Sequence, residues 1–499
     1  MIFSTLKINN NKPIYIQIYE HIMSSLKKGV LKKDDKLPST REASKILNIS
    51  RNSVIVAYEE LESRGVIKTL RGKGTFIAID NKDCKDNKVK LNINWKDKFN
   101  EYSKILRKED IVKSEPIYKK GMISFKSISP DDKLFNVDEF KKALWEAWSM
   151  EERNLLNYGY AKGYRNLIEY FMDYMKSKGV YTFNKDILIT NGFTEAFDII
   201  LSSITVKGDI IFTEKPTHNT AIKIMKAHGI KIVQIPMDKD GIIISELEKE
   251  LEKNIPKAAY LIPSYNNPTG IVTKVERRKE ILLLFAKYKV PVIEDGFSEE
   301  LFYSSSPIQP MAALEGDGNG VLYLGSLSKV LFPGLRIGWI FADKKIIDIL
   351  ESVKRGRNIH VSFLDQSAFY NYLKNGAFER YIKNIRKYYK DKYNIVVKNI
   401  KKYLKCEYIT GEGGLHVFVK LKDNIDTRKL LYMCYEKGVL FMPGDIFYAD
   451  SKYYEGKNKI CNSFRIGFGR VNDEDIEKGI KIISECIEQL KKEDNDKNE

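Results

Sequence analysis

Cysteine is scarce in this chain, and the few that occur stand apart. Cys84, Cys406, Cys434, Cys461 and Cys486 are spread over 499 residues with no C-x-x-C pair. That spacing argues against a disulfide framework and against a zinc site, so free thiols in a reducing compartment and no metal are expected. Long apolar runs are missing as well. None reaches the ~18 residues of a membrane-crossing helix, and the opening MIFSTLKINNNKPIY lacks the apolar core of a secretory leader. A soluble cytoplasmic protein with no membrane partner is expected. There are no internal repeats. Acidic charge is the third shortage: 84 Lys/Arg face 67 Asp/Glu, a formal net charge of +17.

The excess of positive charge is unevenly placed. Residues 1–80 carry 14 Lys/Arg against 8 Asp/Glu, and residues 81–120 carry 12 against 7. The remaining three quarters of the chain holds the rest at far lower density. A basic segment of this kind is the electrostatic footprint of nucleic-acid binding. At 499 residues the chain also exceeds the roughly 250–300 at which one hydrophobic core stops growing, so two or more domains are expected.

Residues 1–80 read as one small domain. PIYIQIYEHIMSSLKKG repeats apolar residues at helical spacing and stops at Gly29. LPSTREASKILNI opens a second helix at Ser39 or Thr40, with Ala43, Ile46 and Leu47 expected to face inward. SRNSVIVAYEELESRG starts a third at Ser50 and closes at Gly65, and VIKTLRGKGTFIAI reads as two short strands around a glycine turn. Three helices followed by a hairpin make a winged helix-turn-helix. In that motif the second helix of the pair enters the major groove with its first residues. Here they are Ser50, Arg51, Asn52 and Ser53. Arginine bridges guanine O6 and N7, and hydroxyls at a helix start suit phosphates. Ser39 and Arg41 at the preceding helix, and Lys73 between two glycines at the wing tip, complete the candidate contacts with double-stranded DNA. Taken alone, any of these is a solvated surface residue. The ordered set LPSTRE, ISRNSVIVAYEELESRGVI and GKGTFI carries the information, and it resembles the GntR-type winged helix across residues 10–79.

Residues 81–120 are polar and highly charged, and read as a linker with one helical stretch at FNEYSKIL. From 121 to 490, apolar runs such as DILIT, DIIFTE, AAYLIP, VPVIED and GVLYLGS alternate with amphipathic helical segments. That alternation predicts an α/β fold: a mainly parallel sheet with helices on both faces. From about residue 366 a long helix and shorter strands predict a small C-terminal α+β subdomain, and 491–499 reads as a frayed polar tail.

Within this second domain one lysine stands in unusual company. Lys329, in YLGSLSKVLFPGLRIGW, follows an apolar strand and lies between Ser326, Ser328 and Arg336. A lysine that forms a Schiff base needs a partly deprotonated amine held by its surroundings. Pyridoxal 5'-phosphate (PLP) further needs a phosphate cup, a carboxylate at its pyridine nitrogen and a group stacked on its ring. Each has a candidate. Ser326, Ser328, Arg336 and the helix start at Phe193 and Thr194 suit the phosphate. Asp295 suits the pyridine nitrogen, Asn267 the ring hydroxyl, and Arg465 a substrate or effector carboxylate.

The order N-G-x-T-E, N-N-P-T-G, E-D, S-x-S-K with G-x-R-x-G, then R-I-G-F resembles fold-type I, aminotransferase class-I-like enzymes from about residue 122 to 490. With the N-terminal module, the chain resembles the MocR subfamily of GntR regulators. The resemblance implies PLP held by Lys329 as an internal aldimine. It also implies a head-to-tail homodimer in which Tyr158 approaches the cofactor phosphate of the neighbouring subunit. Two departures stand out. His218, in EKPTHNTA, occupies the place of the usual stacking tyrosine, and Phe297 replaces a tyrosine that would contact the ring hydroxyl. The second loss removes a donor that favours transamination, so a turnover enzyme is not the expectation. Three functions follow: a regulator sensing an amino compound that displaces Lys329 with its carboxylate on Arg465, a sensor of PLP itself governing vitamin B6 synthesis, and an active aminotransferase carrying a DNA-binding domain. The basic winged helix favours the regulators, and Arg465 favours the first.

Overall fold

The computed structural model describes residues 2–9, 11–80, 91–110, 116–303, 307–411, 413–449 and 461–495. The chain divides into two compact units, Met1–Lys98 and Phe99–Glu499. In the first unit, helix α1 (Ile14–Lys27) buries Ile18, Ile22 and Leu26 as one stripe at four-residue spacing. Helix α2 (Thr40–Leu47) starts at Ser39, whose hydroxyl accepts from Glu42 N while the Glu42 carboxylate accepts from Ser39 N. This reciprocal cap satisfies two orphan amides. Helix α3 (Arg51–Ser63) starts at Ser50, whose Oγ accepts from Asn52 N, and buries Val54, Ala57, Tyr58 and Leu61. Strands β1 (Lys36–Leu37), β2 (Ile67–Leu70) and β3 (Gly74–Ile77) form an antiparallel sheet in the order β1-β3-β2. The expected winged helix-turn-helix is therefore present, with a third short strand. Ile46 departs from expectation. It is exposed, because Ala43 and Leu47 take the inward face of the short α2 while Ile46 points into an open cleft beside Ile2 and Val30.

The second unit opens with helix α4 (Glu101–Lys108), the helical stretch expected in the linker. It docks on the large unit: the Tyr102 ring meets His228 edge-on at 5.5 Å, and Lys207 pairs with Glu101 at 2.7 Å. Residues 81–90 and 111–115 of the expected linker, and Cys84 with them, lie outside the described residues. The tail expected to fray from 491 instead continues the last helix, Asp473–Asn495.

After the short β4 (Ile123–Ser124) come β5 (Lys185–Thr190), β6 (Ile210–Lys215), β7 (Lys231–Asp238), β8 (Gly241–Ile242), β9 (Ala258–Leu261), β10 (Val292–Asp295), β11 (Val321–Ser326) and β12 (Gly338–Asp343). The last eight build one sheet in the order β5-β12-β11-β10-β9-β6-β7-β8. It is parallel except for β12, antiparallel to both neighbours, and the edge hairpin strand β8. Both faces are covered, and alternate residues serve different cores. Leu188, Tyr260, Ile293 and Ile340 pack with the helix Phe193–Ile204 on one side. Ile187, Ile189, Trp339 and Phe341 pack with the helices Arg165–Ser177 and Phe363–Lys374 on the other. A four-stranded antiparallel sheet follows: β13 (Cys406–Thr410), β14 (His416–Leu421), β17 (Ser463–Gly467) and β16 (Met442–Pro443), in the order β13-β14-β17-β16. Strand β15 (Val439–Leu440) pairs in parallel with β4, tying the start of the unit to its C-terminal part. Among the described residues no helix is long and apolar enough to cross a membrane.

The tightest contact in the large sheet is Gly325 opposite Trp339, which stacks on Phe171 at 4.0 Å. A Cβ at Gly325 would lie 1.9 Å from the indole. Gly325→Ala is expected to cost about 3 kcal/mol by forcing the ring out of its slot. Gly356→Ala, whose Cβ would meet no atom closer than 3.4 Å, is expected to change stability by a few tenths at most. Thermal unfolding of the two variants tests the difference.

Candidate functional site

Strands β5, β6, β9, β10 and β11 all run the same way, so their carboxyl ends meet along one edge of the sheet, where ligands of open α/β folds bind. The segments leaving those ends carry Phe193, His218, Asn267, Asp295, Ser326, Ser328 and Lys329. Together with Arg336, Arg465 and Lys126 they line one cavity of about 330 Å³. Residues that the sequence scatters from position 126 to position 465 thus share one chamber.

Lys329 sits just past β11. Burial, with the charges of Arg465, Arg336 and Arg470, pushes its ammonium down to about 8. At neutral pH an ordinary lysine is almost wholly protonated, whereas this one keeps a usable fraction of free amine. Asp295 is the last residue of β10 and is buried. Burial raises its carboxyl to about 7, against the opposing hydrogen bond that Tyr260 donates to Oδ2 at 2.7 Å. A cationic ring nitrogen beside it would hold it ionised. His218 lines the cavity wall with its ring 5.2 Å from Phe193. Burial and the charges of Arg465 and Lys329 lower it to about 3, so the imidazole stays neutral and suits a flat apolar contact. Phe297 brings no hydroxyl, and its nearest ring neighbour is the buried His416 at 6.2 Å.

Arg465, in β17, donates through Nη1 to Asn267 Oδ1 at 2.7 Å and through Nη2 to Lys126 O at 3.1 Å. It therefore bridges the small antiparallel sheet to the turn after β9. At the opposite end, the helix Phe193–Ile204 begins after Gly192 with no side chain capping its first amides. Gly192 has φ +81, and a Cβ there would lie 2.9 Å from Arg336 Nη2. Arg336 itself is pinned by donating to Asn191 O at 2.6 Å. Ser326 Oγ donates to Ser328 Oγ at 3.2 Å, so both hydroxyls stand together at this end.

The residues present suit PLP. Asn267 Nδ2 is buried with no hydrogen-bond partner among the described residues, a donor awaiting an acceptor. The uncapped helix start, the glycine-lined approach and Arg336 make an anion cradle, and the same cavity holds a buried carboxylate, Asp295. Tyr158 is not part of this chamber. It is 81% exposed, with its ring edge-on to His360. Sequence reasoning missed Tyr260, a lone tyrosine in the apolar AAYLIP strand, and it also missed Lys126 and Arg470.

In the first unit, Arg51 opens α3 on the surface, and its Nε donates to Thr40 Oγ1 at 3.3 Å. Arg41, Asn52 and Lys73 are exposed, and Lys73 closes the wing turn onto Leu70 O at 3.0 Å between Gly72 and Gly74, both at positive φ. Ser39 and Ser50 are committed as helix caps, and Ser53 N donates to Ser50 O. Arg71, beside Lys73 and also exposed, adds a second cation at the wing tip.

Comparison with known proteins agrees with both units. Residues 124–483 match the family model for aminotransferase class I and II, and residues 14–77 match that for bacterial regulatory proteins of the gntR family. The chain belongs to the aminotransferase class I and II family and carries a gntR-type DNA-binding module at its N-terminus. An HTH-type transcriptional regulator of Bacillus subtilis, YisV, is 28% identical over 96% of both chains. The probable rhizopine catabolism regulatory protein MocR of Rhizobium meliloti is 25% identical over 86% of each. Among solved structures, the α-aminoadipate aminotransferase LysN of Thermus thermophilus, complexed with N-(5'-phosphopyridoxyl)-L-leucine, superposes with a TM-score of 0.72 at 25% identity, covering 80% of this chain and 99% of that one. The protein is thus a GntR-type regulator fused to a fold-type I aminotransferase-like domain, as in MocR regulators. Its fold implies PLP as cofactor and its N-terminal module implies DNA binding.

The tuned amine and carboxylate generate a test. Apoprotein is expected to take up PLP, read by visible absorbance, with a pH profile whose midpoint lies near 8, uptake falling as pH drops and the amine protonates. Tyr260→Phe, which removes the donor holding Asp295 ionised, is expected to weaken PLP binding about tenfold.

Proposed function

We propose that this regulator senses an amino compound through PLP held at Lys329, and that effector binding in the cavity alters DNA binding by the winged helix. The observation that carries the reading is the pairing of Arg465 with Asn267 at the cavity wall, opposite the depressed amine of Lys329. A guanidinium in that place answers a ligand carboxylate, which a pure sensor of PLP does not need.

In this reading PLP, when bound, supplies a carbonyl carbon for an amine and a ring that withdraws electrons. The remaining work belongs to the chain. Lys329 would hold the cofactor, its lowered proton affinity leaving a free amine for that bond. Asp295, steadied by Tyr260, keeps a proton on the pyridine nitrogen. Asn267, whose buried Nδ2 lacks a partner among the described residues, would donate to the ring hydroxyl, and His218 at the cavity wall would contact the ring. Ser326, Ser328, Arg336 and the amides at Phe193 and Thr194 bind the phosphate, and Arg465 takes the effector carboxylate. Phe297 cannot donate to the ring hydroxyl, which removes support for rapid amino-group transfer. The site is therefore suited to binding and release more than to turnover. An effector changes DNA affinity only by its differential affinity for two states of the protein.

A homodimer arranged head to tail belongs to the same proposal. Trp145 (71% exposed), Trp148, Met150, Leu156, Tyr158 and Tyr160 form an apolar run along the helix Val137–Glu151 and the segment after it. Exposed aromatics in that number mark a surface that a partner covers. A second copy there would bring Tyr158 to the phosphate end of its neighbour's cavity.

On the DNA side, Arg51, Arg41, Asn52, Ser53 and Lys73 are assigned to base edges and phosphates, with Ser39 and Ser50 setting the helix starts that face the backbone. Arg51→Ala is expected to weaken binding to a duplex selected from a random library by about tenfold or more. Unchanged affinity would remove the assignment. For the effector reading, the PLP-loaded protein is expected to change its affinity for that duplex when an amino acid displaces Lys329, and Lys329→Ala is expected to abolish both the visible band and the response. Sustained amino transfer to a keto acid would show an aminotransferase instead, and a response to PLP alone would show a cofactor sensor.

A further inference from the structure

We propose that helix α4 is a strap that couples occupancy of the cavity to the winged helix, by holding a helix whose first turn lines that cavity. The inference extends the effector reading just given and rests on it. His218, Asn219 and Thr220, the cap and first turn of the helix Asn219–Ala227, stand in the cavity wall. So do Phe193 and Thr194, the first turn of the helix Phe193–Ile204. The C-terminal end of α4 is clasped to the first of these helices. Lys226 Nζ donates to Glu109 Oε2 at 3.0 Å, and Lys223 pairs with Asp110 at 3.6 Å. At the other end of α4 the Tyr102 ring meets His228, just past the same helix, so the two helices lie antiparallel. His228 joins the second helix to the clasp, with its Nε2 2.6 Å from Asp198 Oδ1.

The path from cavity to clasp is short. Lys223 stands one turn beyond Asn219, about 6 Å along the helix axis. A ligand phosphate on the uncapped amides at Phe193 and a ring against His218 would fix both first turns, and the helices carry that constraint to α4. The hold is also light, because α4 buries none of its side chains fully and no core anchors it. Ion pairs carry the attachment, and they differ in exposure. Glu109 and Lys226 each keep 21% of their side-chain surface exposed, whereas Glu101 and Lys207 keep 67% and 72%. Water and salt therefore screen the pair on the cavity helix less, and that pair sets the strap's hold. An element held in this way opens without unfolding the domain beneath it. It is the first helix after the unit Met1–Lys98, so the chain joining the winged helix to the cavity domain runs through it.

The test uses the full chain. Hydrogen exchange across residues 101–110, read by mass spectrometry, is expected to slow about threefold or more when PLP is added and the visible band appears. In the PLP-loaded chain, an amino acid that shifts the band, found by titrating the common L-amino acids, is expected to change affinity for the selected duplex about fivefold or more. Glu109→Lys is expected to remove both the slowing and the duplex response while leaving the band and its titration unchanged. Adding Lys226→Glu rebuilds the ion pair in the reversed sense and is expected to restore both. An exchange rate indifferent to PLP despite the band, a duplex response that survives Glu109→Lys, or no recovery in the double variant overturns the strap alone. Absence of the band in the unaltered chain, or a duplex affinity that no amino acid changes, overturns the effector reading and the strap with it.

Discussion

Like charges crowded into a half-buried chamber repel one another, and the described lining residues here include a single carboxylate to offset them. Lys329, Arg336 and Arg465 converge on the cavity, and Asp295 is the one carboxylate among its described lining residues. The consequence is visible in Lys329, which loses proton affinity through its removal from water and, after that, through repulsion by the neighbouring arginines. Asp295 bears the opposite strain, since burial disfavours its charge until a cation arrives. A group that is anionic at one end and cationic at the other, the form of a protonated pyridine bearing a phosphate, relieves both at once.

The fold sustains this arrangement by putting its strain-bearing residues at strand ends and its rigidity beneath them. The parallel strands deliver Asp295, Ser326 and the turn containing Asn267 to one edge, while apolar residues on both faces hold the sheet. Glycine decides how closely the other layers approach. At Gly192 it leaves room for the Arg336 guanidinium, and at Gly467 and Gly469 it lets the segment 125–130 lie flat on β17. Arg465 then joins the small sheet to the large one's edge, donating from its strand to Asn267 in the turn after β9.

Much of this was legible in the residues, and for identifiable reasons. Helix caps announce themselves locally, so Ser39 and Ser50 mark the starts of α2 and α3 with no knowledge of the rest. The order of lysine, aspartate and arginine along the chain was recognisable because it resembles that of fold-type I aminotransferases. Tyr260 was not legible. It serves Asp295 from a neighbouring strand, and only the β9–β10 register, with Tyr260 opposite Ile293, sets it beside that carboxylate. Ile46 misled for a related reason: helical spacing alone does not say which apolar residue meets a core and which meets a cleft. The helix in the charged linker was expected, but its docking by Tyr102 against His228 depends on a surface more than a hundred residues away.

The division follows the range of the forces involved. Caps, turn glycines, strand alternation and the order of reactive residues act over a few positions, so the sequence by itself determined the two fold classes and singled out the candidate residues for the cofactor. Electrostatic coupling acts through space. That Arg465 would meet Asn267 across 198 positions, that Arg470 would bear on Lys329, and that Lys126 would be locked at the same wall were decided only when the tertiary structure brought distant segments within reach of one another's charge.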